Sequence, residues 1–420
     1  MPIIISTSDV AVKEGSGTVE VVFRLSAAST SQVTFNFLAS NATAIAADYS
    51  LNGVVASATD ATTRQLEAAL NAIVKAVNAN SGVVIFAPGE TSKTVRFNIT
   101  DDKLAETTEK FVLQLSNPVN AILDQASVNV VILDDDQATG SPNAVNVISM
   151  ATAATANAYQ LPVAATNDFV IGTSAFDTVV IAGNRSAYDI KTGTNGVTVY
   201  NRAGTGGLDT LVGIEKIKFD DQYVNLTIQK TAATLPGAAV LRLEELYVAF
   251  FNRVPDADGL EYWIKQYRDG QSINQIAESF FNAGKAFTSL TGYSDSMTEE
   301  DFVNLVYRNV LGRKDGADAE GLKFWSTQLR AKQETHGSLV SAILDSAHTF
   351  KNRSDYGYVA DFLDNKGVVS HYAAVQQGIN YNTSDLSISQ GMAIAAAITP
   401  TSTAAAITLI GLDSTAVIAT

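Results

Sequence analysis

Nine carboxylates in the first third of the chain stand where strand pairing could bring them together. Glu14 precedes Gly15-Ser-Gly17, and Asp48 follows the Asn41-Ala-Thr-Ala44 stretch. Asp101 and Asp102 come just before Glu106 and Glu109. Asp134, Asp135 and Asp136 form an unbroken triple. Each group sits at the start or end of a strand-like stretch, so antiparallel pairing gathers them at one end of a sandwich. So many carboxylates in a small volume repel one another and cannot all stay ionised unless cations intervene. An all-oxygen donor set selects Ca²⁺ over zinc or copper, and a flexible loop favours Ca²⁺ over Mg²⁺. The competing reading is a solvated acidic rim that binds nothing, the usual meaning of an acidic run such as 134–136 taken alone.

Other chemistry has little material. The 420 residues carry 28 Lys plus Arg against 43 Asp plus Glu, a formal charge of −15, with three His and no Cys. The acidic balance argues against nucleic acid and anionic membrane as partners. Without Cys there is no disulfide framework, no thiolate metal site and no Cys nucleophile. No Gly-x-Ser-x-Gly elbow, His-Glu-x-x-His, phosphate-cradling loop with Lys or dinucleotide fingerprint occurs. His336, His348 and His371 have no nucleophile signature beside them and read as structural. A carboxylate-pair glycosidase has no distinctive motif, but the densest carboxylates already have the cation explanation. No enzyme is expected.

The elements that must position these residues fall into four segments. Residues 1–137 alternate apolar and polar in β-branched-rich runs such as Val19–Leu25, Val33–Phe37, Lys93–Ile99, Lys110–Leu115 and Ser127–Leu133, which predicts an antiparallel sandwich. Within residues 60–80, Thr62 to Asn78 places Leu66, Leu70, Ile73, Val74 and Val77 at helical spacing. That inserted helix either packs on its own sandwich or docks a neighbour. Residues 138–165 are nearly uncharged and read as a linker or irregular strand region. Residues 166–230 return to short strands punctuated by Gly. Residues 238–380 are helical, and Ser272 with Gln275 forms a capping box. The helical segment repeats: Tyr247 to Arg253 aligns with Tyr307 to Arg313, and Gly259-Leu-Glu-Tyr-Trp263 aligns with Gly321-Leu-Lys-Phe-Trp325. Tyr262, Trp263, Phe324 and Trp325 are expected in the core, with a sugar-stacking platform as the alternative. Asp256, Asp258, Asp315 and Asp318 are expected to cap helices or shape turns rather than bind a cation.

On these residues, segment 3–137 resembles a Calx-beta domain, the calcium-binding sandwich of sodium–calcium exchangers and many bacterial surface proteins. The resemblance rests on Glu14-Gly-Ser-Gly, Ala47-Asp48-Tyr49, Phe86-Ala-Pro-Gly-Glu-Thr-Ser-Lys-Thr-Val95, Asp101-Asp102 with Glu106 and Glu109, and the closing triple. It implies that Glu14, Asp48, Asp101, Asp102, Glu106, Glu109, Asp134, Asp135 and Asp136 ligate a cluster of calcium ions. The middle segment resembles degenerate units of the calcium-binding nonapeptide repeats of secreted bacterial toxins. Gly204-Thr-Gly-Gly-Leu-Asp209 and Gly172-Thr-Ser-Ala-Phe-Asp177 carry that likeness, with Asp177 and Asp209 as weaker metal candidates. Two such units about 30 residues apart are expected to form small β-structure and no parallel roll, because functional repeats stack on one another. The helical segment resembles a domain of unknown function that accompanies such repeats in secreted and surface-layer-like proteins.

The expected protein is therefore multidomain: an all-β sandwich, a small β segment, then an all-α helical repeat. Its expected role is that of a secreted calcium-binding structural protein of the bacterial surface, self-assembling into a surface layer or another homo-oligomer. The alternative is an adhesin that binds a glycan, such as a cell-surface polysaccharide, or a host surface. Leu386 to Leu412 is interrupted by Pro400, so no transmembrane segment is expected. The opening residues lack a secretory signal pattern. The nearly uncharged tail, 381–420, is expected either to act as an uncleaved export signal, to add a strand to a neighbour, or to complete the chain's own β-structure.

Overall fold

The structure is a computed structural model. It describes residues 2–55, 80–136, 146–150, 158–161, 167–173, 175–193, 196–204 and 206–412, with Gln65, Ala68, Ala69, Asn71 and Ala72. The chain divides into two compact units, Met1–Asp220 and Asp221–Thr420.

The first unit opens with the sandwich. Its strands are β1 (Ile4–Ser6), β2 (Val10–Lys13), β3 (Thr18–Leu25), β4 (Val33–Asn41), β5 (Tyr49–Val55), β6 (Ser81–Phe86), β7 (Ser92–Ile99), β8 (Glu109–Val119), β9 (Ile122–Leu123) and β10 (Ser127–Leu133). One sheet runs β5-β7-β3-β1-β9 and the other β2-β10-β8-β4-β6. The period-two alternation turns one face of each strand inward: Val19, Val21, Phe23 and Leu25 of β3 are all buried, as are Val33, Phe35 and Phe37 of β4. Each fully buried Phe adds about 1.5–3 kcal/mol over an exposed one. Tyr49 stacks on Phe111 at 3.8 Å between ring centroids and ties the start of β5 to β8. Most of the proposed inserted helix lies outside the described residues. Its described positions, Gln65, Ala68, Ala69, Asn71 and Ala72, are helical. Asn71 Oδ1 accepts a hydrogen bond from Val83 N of β6 at 2.9 Å, which favours packing on its own sandwich.

The next segment corrects two expectations. Its strands are β11 (Asn146–Ser149), β12 (Ala158–Gln160), β13 (Asp168–Ile171), β14 (Thr178–Val180), β15 (Tyr188–Gly193), β16 (Gly196–Asn201), β17 (Leu208–Val212) and β18 (Lys216–Lys218). β11, β13 and β17 pair in parallel in one sheet. β12, β14 and β18 pair in parallel in another. The chain alternates between the two sheets, so a parallel roll does form. The spacing hid it because the antiparallel hairpin β15–β16 is inserted between the second and third rungs and joins the first sheet beside β17. β11 and β12, which fall within the segment read as linker or irregular strand, form the first rung of that roll. Val170, Val179, Leu211 and Ile217 fill its interior. Phe169 and Val212 form a second small core with Val131 and Leu133 of the sandwich, so roll and sandwich share one unit.

The second unit opens with β19 (Gln222–Asn225), which pairs antiparallel with the sequence-distant β20 (Ile379–Tyr381). Between and after them come α1 (Ile228–Ala232), α2 (Gly237–Phe251), α3 (Ala257–Arg268), α4 (Ile273–Gly284), α5 (Thr288–Thr291), α6 (Glu299–Leu311), α7 (Ala319–Arg330), α8 (His336–His348), α9 (Gly357–Ser370), α10 (Ser384–Ala396) and α11 (Ala404–Ile410). A π-helical turn, His371–Gln376, follows α9.

The repeat is visible in the capping. Asp256 caps α3 by accepting from Gly259 N, and Asp318 caps α7 by accepting from Gly321 N. Capping boxes open α4 at Ser272 and Gln275 and α8 at Thr335 and Ser338. Trp263 and Trp325 are partly buried against the unit's core. Tyr262 and Phe324 are not core: each is 54% exposed, because neighbouring positions on a helix turn to different sides. For the tail, the two β readings do not hold over its described part. Its described part forms α10 and α11, with Thr383 as N-cap of α10. Ile394, Ile398, Ile407 and Ile410 pack there with Val369 and Tyr372. The Ala and Ile content satisfies a helix as readily as a strand, and caps decide. Residues 413–420 lie outside the described residues. No helix among the described residues is long and apolar enough to cross a membrane.

Candidate metal centre

Strand register gathers the carboxylates. β2 runs parallel to β10 with Lys13 opposite Leu133, so Glu14 and Asp134 leave the sheet side by side. β8 runs antiparallel to β10 with Glu109 opposite Ile132. β5 pairs with β7 through Tyr49 and Ile99, which sets Asp48 beside the residues leading into Asp101 and Asp102. Thr100 N donates to the Asp48 carbonyl at 2.9 Å.

At the centre, Glu14, Asp134 and Asp136 each offer a carboxylate oxygen within 4.8 Å of the others. Glu14 opens a tight turn that ends at Gly17, whose φ of 68° is a conformation suited to glycine. The loops around it are held by the same acidic residues. Asp135 Oδ1 accepts from Gly15 N at 3.2 Å, and Asp134 accepts from Glu106 N at 3.1 Å and Asp136 N at 3.0 Å. Asp48 accepts from Ile45 N at 2.5 Å and Asp102 from Leu104 N at 2.7 Å.

The electrostatics show the strain of this gathering. Glu14 is only 4% exposed. Burial, then the charges of Glu106, Asp134, Asp102 and Asp135, push its carboxyl up to about 7. Glu109 is pushed up to about 7 by burial, then by its hydrogen bond and charge repulsion with Asp48, and by Glu106. Desolvation, then Asp102, Asp48 and Asp134, raises Glu106. Desolvation, then Asp101 and its neighbours, raises Asp136. Among the described residues, Glu14 Oε2 and Glu109 Oε2 are buried oxygens with no hydrogen-bond partner. Buried polar atoms are nearly always partnered. Two orphaned carboxylate oxygens among acidic neighbours are what a hard divalent cation would take.

Asp177 and Asp209 are not part of this centre. Asp177 precedes β14 and is fully buried; its Oδ2 accepts from Thr173 N at 2.5 Å and Oγ1 at 2.7 Å, and its own N–H donates to Glu215 at 2.7 Å. Its Oδ1 has no hydrogen-bond partner among the described residues. Asp209 lies on β17 and accepts from Asp168 N at 3.0 Å, while Asp168 accepts from the Asn146 carboxamide at 2.9 Å. Burial pushes Asp209 up to about 6, with Asp168's backbone donor opposing and its charge adding. Asp168 and Glu215 escaped the sequence reading. The recurrence of an Asp ahead of an apolar run, Asp168-Phe-Val-Ile and Asp209-Thr-Leu-Val, was the available signal. Of the helical acids, Asp256 and Asp318 cap, and Asp258 accepts from Tyr223 and Asn225.

A family model described as Calx-beta domain matches residues 2–71 and 77–165. One described as a domain of unknown function, DUF4214, matches residues 279–353. Among solved structures, the apo-form Calx CBD1 domain is 21% identical, with 32% of this chain and 100% of that one covered and a TM-score of 0.24. The calcium binding domain CBD12 of CALX1.1 is 18% identical, with 37% of this chain and 54% of that one covered and a TM-score of 0.25. The Calx CBD2 domain is 12% identical, with 32% and 88% covered and a TM-score of 0.23. A Calx-beta domain and a DUF4214 domain are thus both present in this chain.

Proposed function

We propose that the chain is a secreted, non-catalytic, calcium-binding structural protein of the bacterial surface, whose Calx-beta domain is rigidified by calcium and which assembles with copies of itself. The observation that carries this reading is the pair of orphaned oxygens, Glu14 Oε2 and Glu109 Oε2, inside the acidic cluster. Glu14, Asp134 and Asp136 would hold one ion, with Asp48, Asp101, Asp102, Glu106, Glu109 and Asp135 around it. Binding would convert mutual repulsion into cross-linking of three strand ends. Export through an uncleaved C-terminal signal belongs to the same reading.

Adhesion to a glycan is the second reading, favoured by the exposure of Tyr262 and Phe324, 54% each, on equivalent helices of the two repeats. Exposed aromatic rings are able to stack on sugar faces. Light scattering on the full chain, with calcium and with chelator, separates the two. Calcium-dependent particles of high mass support assembly. A calcium-loaded monomer retained on a polysaccharide column, with retention lost in Tyr262→Ala and Phe324→Ala, supports adhesion. A chain whose mass and retention ignore calcium defeats both.

A further inference from the structure

The three histidines of the chain all lie in the helical unit, and each meets a carboxylate from another helix. α8 carries one at each end. At its first residue, the His336 ring lies flat on Phe281 at 3.7 Å, with Nδ1 3.5 Å from Glu278 of α4 and Nε2 3.2 Å from Glu299 of α6. At its last residue, His348 Nε2 lies 2.5 Å from Glu245 Oε1 of α2. His371, opening the π-helical turn after α9, places Nδ1 3.0 Å from Glu244 Oε1.

Glu244 and Glu245 are consecutive on α2 and almost wholly buried, at 1% and 2% exposure. Being about 100° apart around the helix, they face different neighbours. Two adjacent interior carboxylates are costly unless each meets a cation. The imidazole side chains that meet them are 35% and 43% exposed, so solvent protons reach them.

We propose that the Glu245–His348 and Glu244–His371 pairs form a proton-operated clasp, which fastens α8 and the end of α9 to α2 when the imidazoles are protonated and slackens when they are not. The surrounding charges fit this. From α2, Arg242 also approaches Glu245, at 3.5 Å, and holds Asp345 of α8. From α9, Asp364 lies 3.8 Å from His348 Nδ1 and is shared with Lys351. Lys366 of α9 is occupied elsewhere, donating to Asn252 Oδ1 at 2.6 Å and the Asn309 carbonyl at 3.1 Å. His348 also sits in the last turn of α8, where the helix dipole favours a cation. The hydrogen bond to Glu245 holds His348 above the usual imidazole value of 6.5, and the bond to Glu244 does the same for His371, with burial opposing in both. Groups raised in the folded state contribute stability that is complete below 6.5 and is lost as pH rises through their folded values.

Three imidazoles in one chain make the test direct. The full chain, in chelator throughout, is titrated by proton NMR of the imidazole signals, assigned with His336→Gln, His348→Gln and His371→Gln. His348 and His371 are expected to titrate above 6.5, and in Glu244→Gln with Glu245→Gln both move back toward 6.5. Both Trp lie in this unit, so tryptophan emission follows its urea unfolding. Burial pushes Lys366 down to about 7, which adds stability as pH rises from 6.5 to 8.5 in every variant. Over that interval the midpoint is therefore expected to fall relative to its course in the doubly substituted His348→Gln, His371→Gln chain, where any fall is smaller. Titration of either imidazole at or below 6.5 in the unsubstituted chain overturns the clasp. So does an undiminished fall in the double His variant. The wild-type titration decides even if the Glu variants fail to fold.

Discussion

The indole of Trp263 lies beside the hydroxyl of Tyr247, and that of Trp325 beside Tyr307 in the second repeat. A glycine completes each trio, since a Cβ at Gly259 or Gly321 would come within 2.7 Å of the respective Tyr oxygen. The Tyr, Gly and Trp of the repeated signature are thus one packing unit, in which the small residue lets two large ones meet. Trp263→Phe should remove the indole N–H from beside the buried Tyr247 hydroxyl, at a cost of about 1–3 kcal/mol. Trp263→Ala should cost more, roughly 3–5 kcal/mol. Urea unfolding followed by the remaining Trp325 emission measures both, and a neutral Trp263→Phe would contradict the pairing.

Calcium removal should act on the sandwich. An ion that binds only the folded state at 100 times its dissociation constant adds about 2.7 kcal/mol. Chelator should therefore lower the sandwich transition in calorimetry, and Asp134→Asn with Asp136→Asn should abolish that response. A transition indifferent to chelator would remove calcium from the reading.

Acidity should compete with the ion. Glu14 and Glu109 are held up to about 7 in the folded, metal-free sandwich. Raised carboxyls bind protons in the folded state that the unfolded chain releases, so without metal the sandwich should lose stability as pH climbs from about 4.5 through 7. Calcium needs these oxygens ionised, so its affinity should rise over the same interval and level off above 7. Calorimetric titration at pH 5.5, 6.5 and 7.5 tests this, and proton release on binding at pH 6 is the matching signature.

The roll should be intolerant at one turn. A Cβ on Gly172 would lie 1.8 Å from the Gly213 carbonyl oxygen, which is backbone and cannot swing aside. Gly172→Ala should open the stacking of the second and third rungs, while Gly204→Ala, with nothing nearer than the Tyr200 hydroxyl at 3.6 Å, costs chiefly its positive φ of 68°. Limited proteolysis of the roll, read by mass, should find cleavage between 172 and 213 in the first variant before the second.

How much of this was written in the chain depended on distance along it. Val19, Val21, Phe23 and Leu25 announce a strand because the period is local. Ser272 and Gln275 announce a helix start for the same reason. The acidic cluster was legible because strand ends supply its members and a sandwich brings strand ends together. The roll was not, because its strands are short and the β15–β16 hairpin separates the rungs. The β readings of the tail misled because Ala and Ile suit helix and strand alike, and only Thr383 and Gly411 mark the ends of helices. Glu244 and His371 are 127 residues apart, and Glu245 and His348 are 103 apart, so nothing local joins them.

The Asn71 carboxamide has a consequence for life in a crowd. Among the described residues β6 is the last strand of its sheet, and all six of its residues are buried. A border strand of that apolarity normally invites a neighbouring chain to continue the sheet. Here Asn71 already occupies the N–H of Val83, as a missing strand would. A second molecule seeking to zip onto this border must first evict it. Copies held close together at a surface can therefore touch without their sandwiches fusing into a fibre through β6, and an Asn71→Ala chain should be the one that gels on concentration.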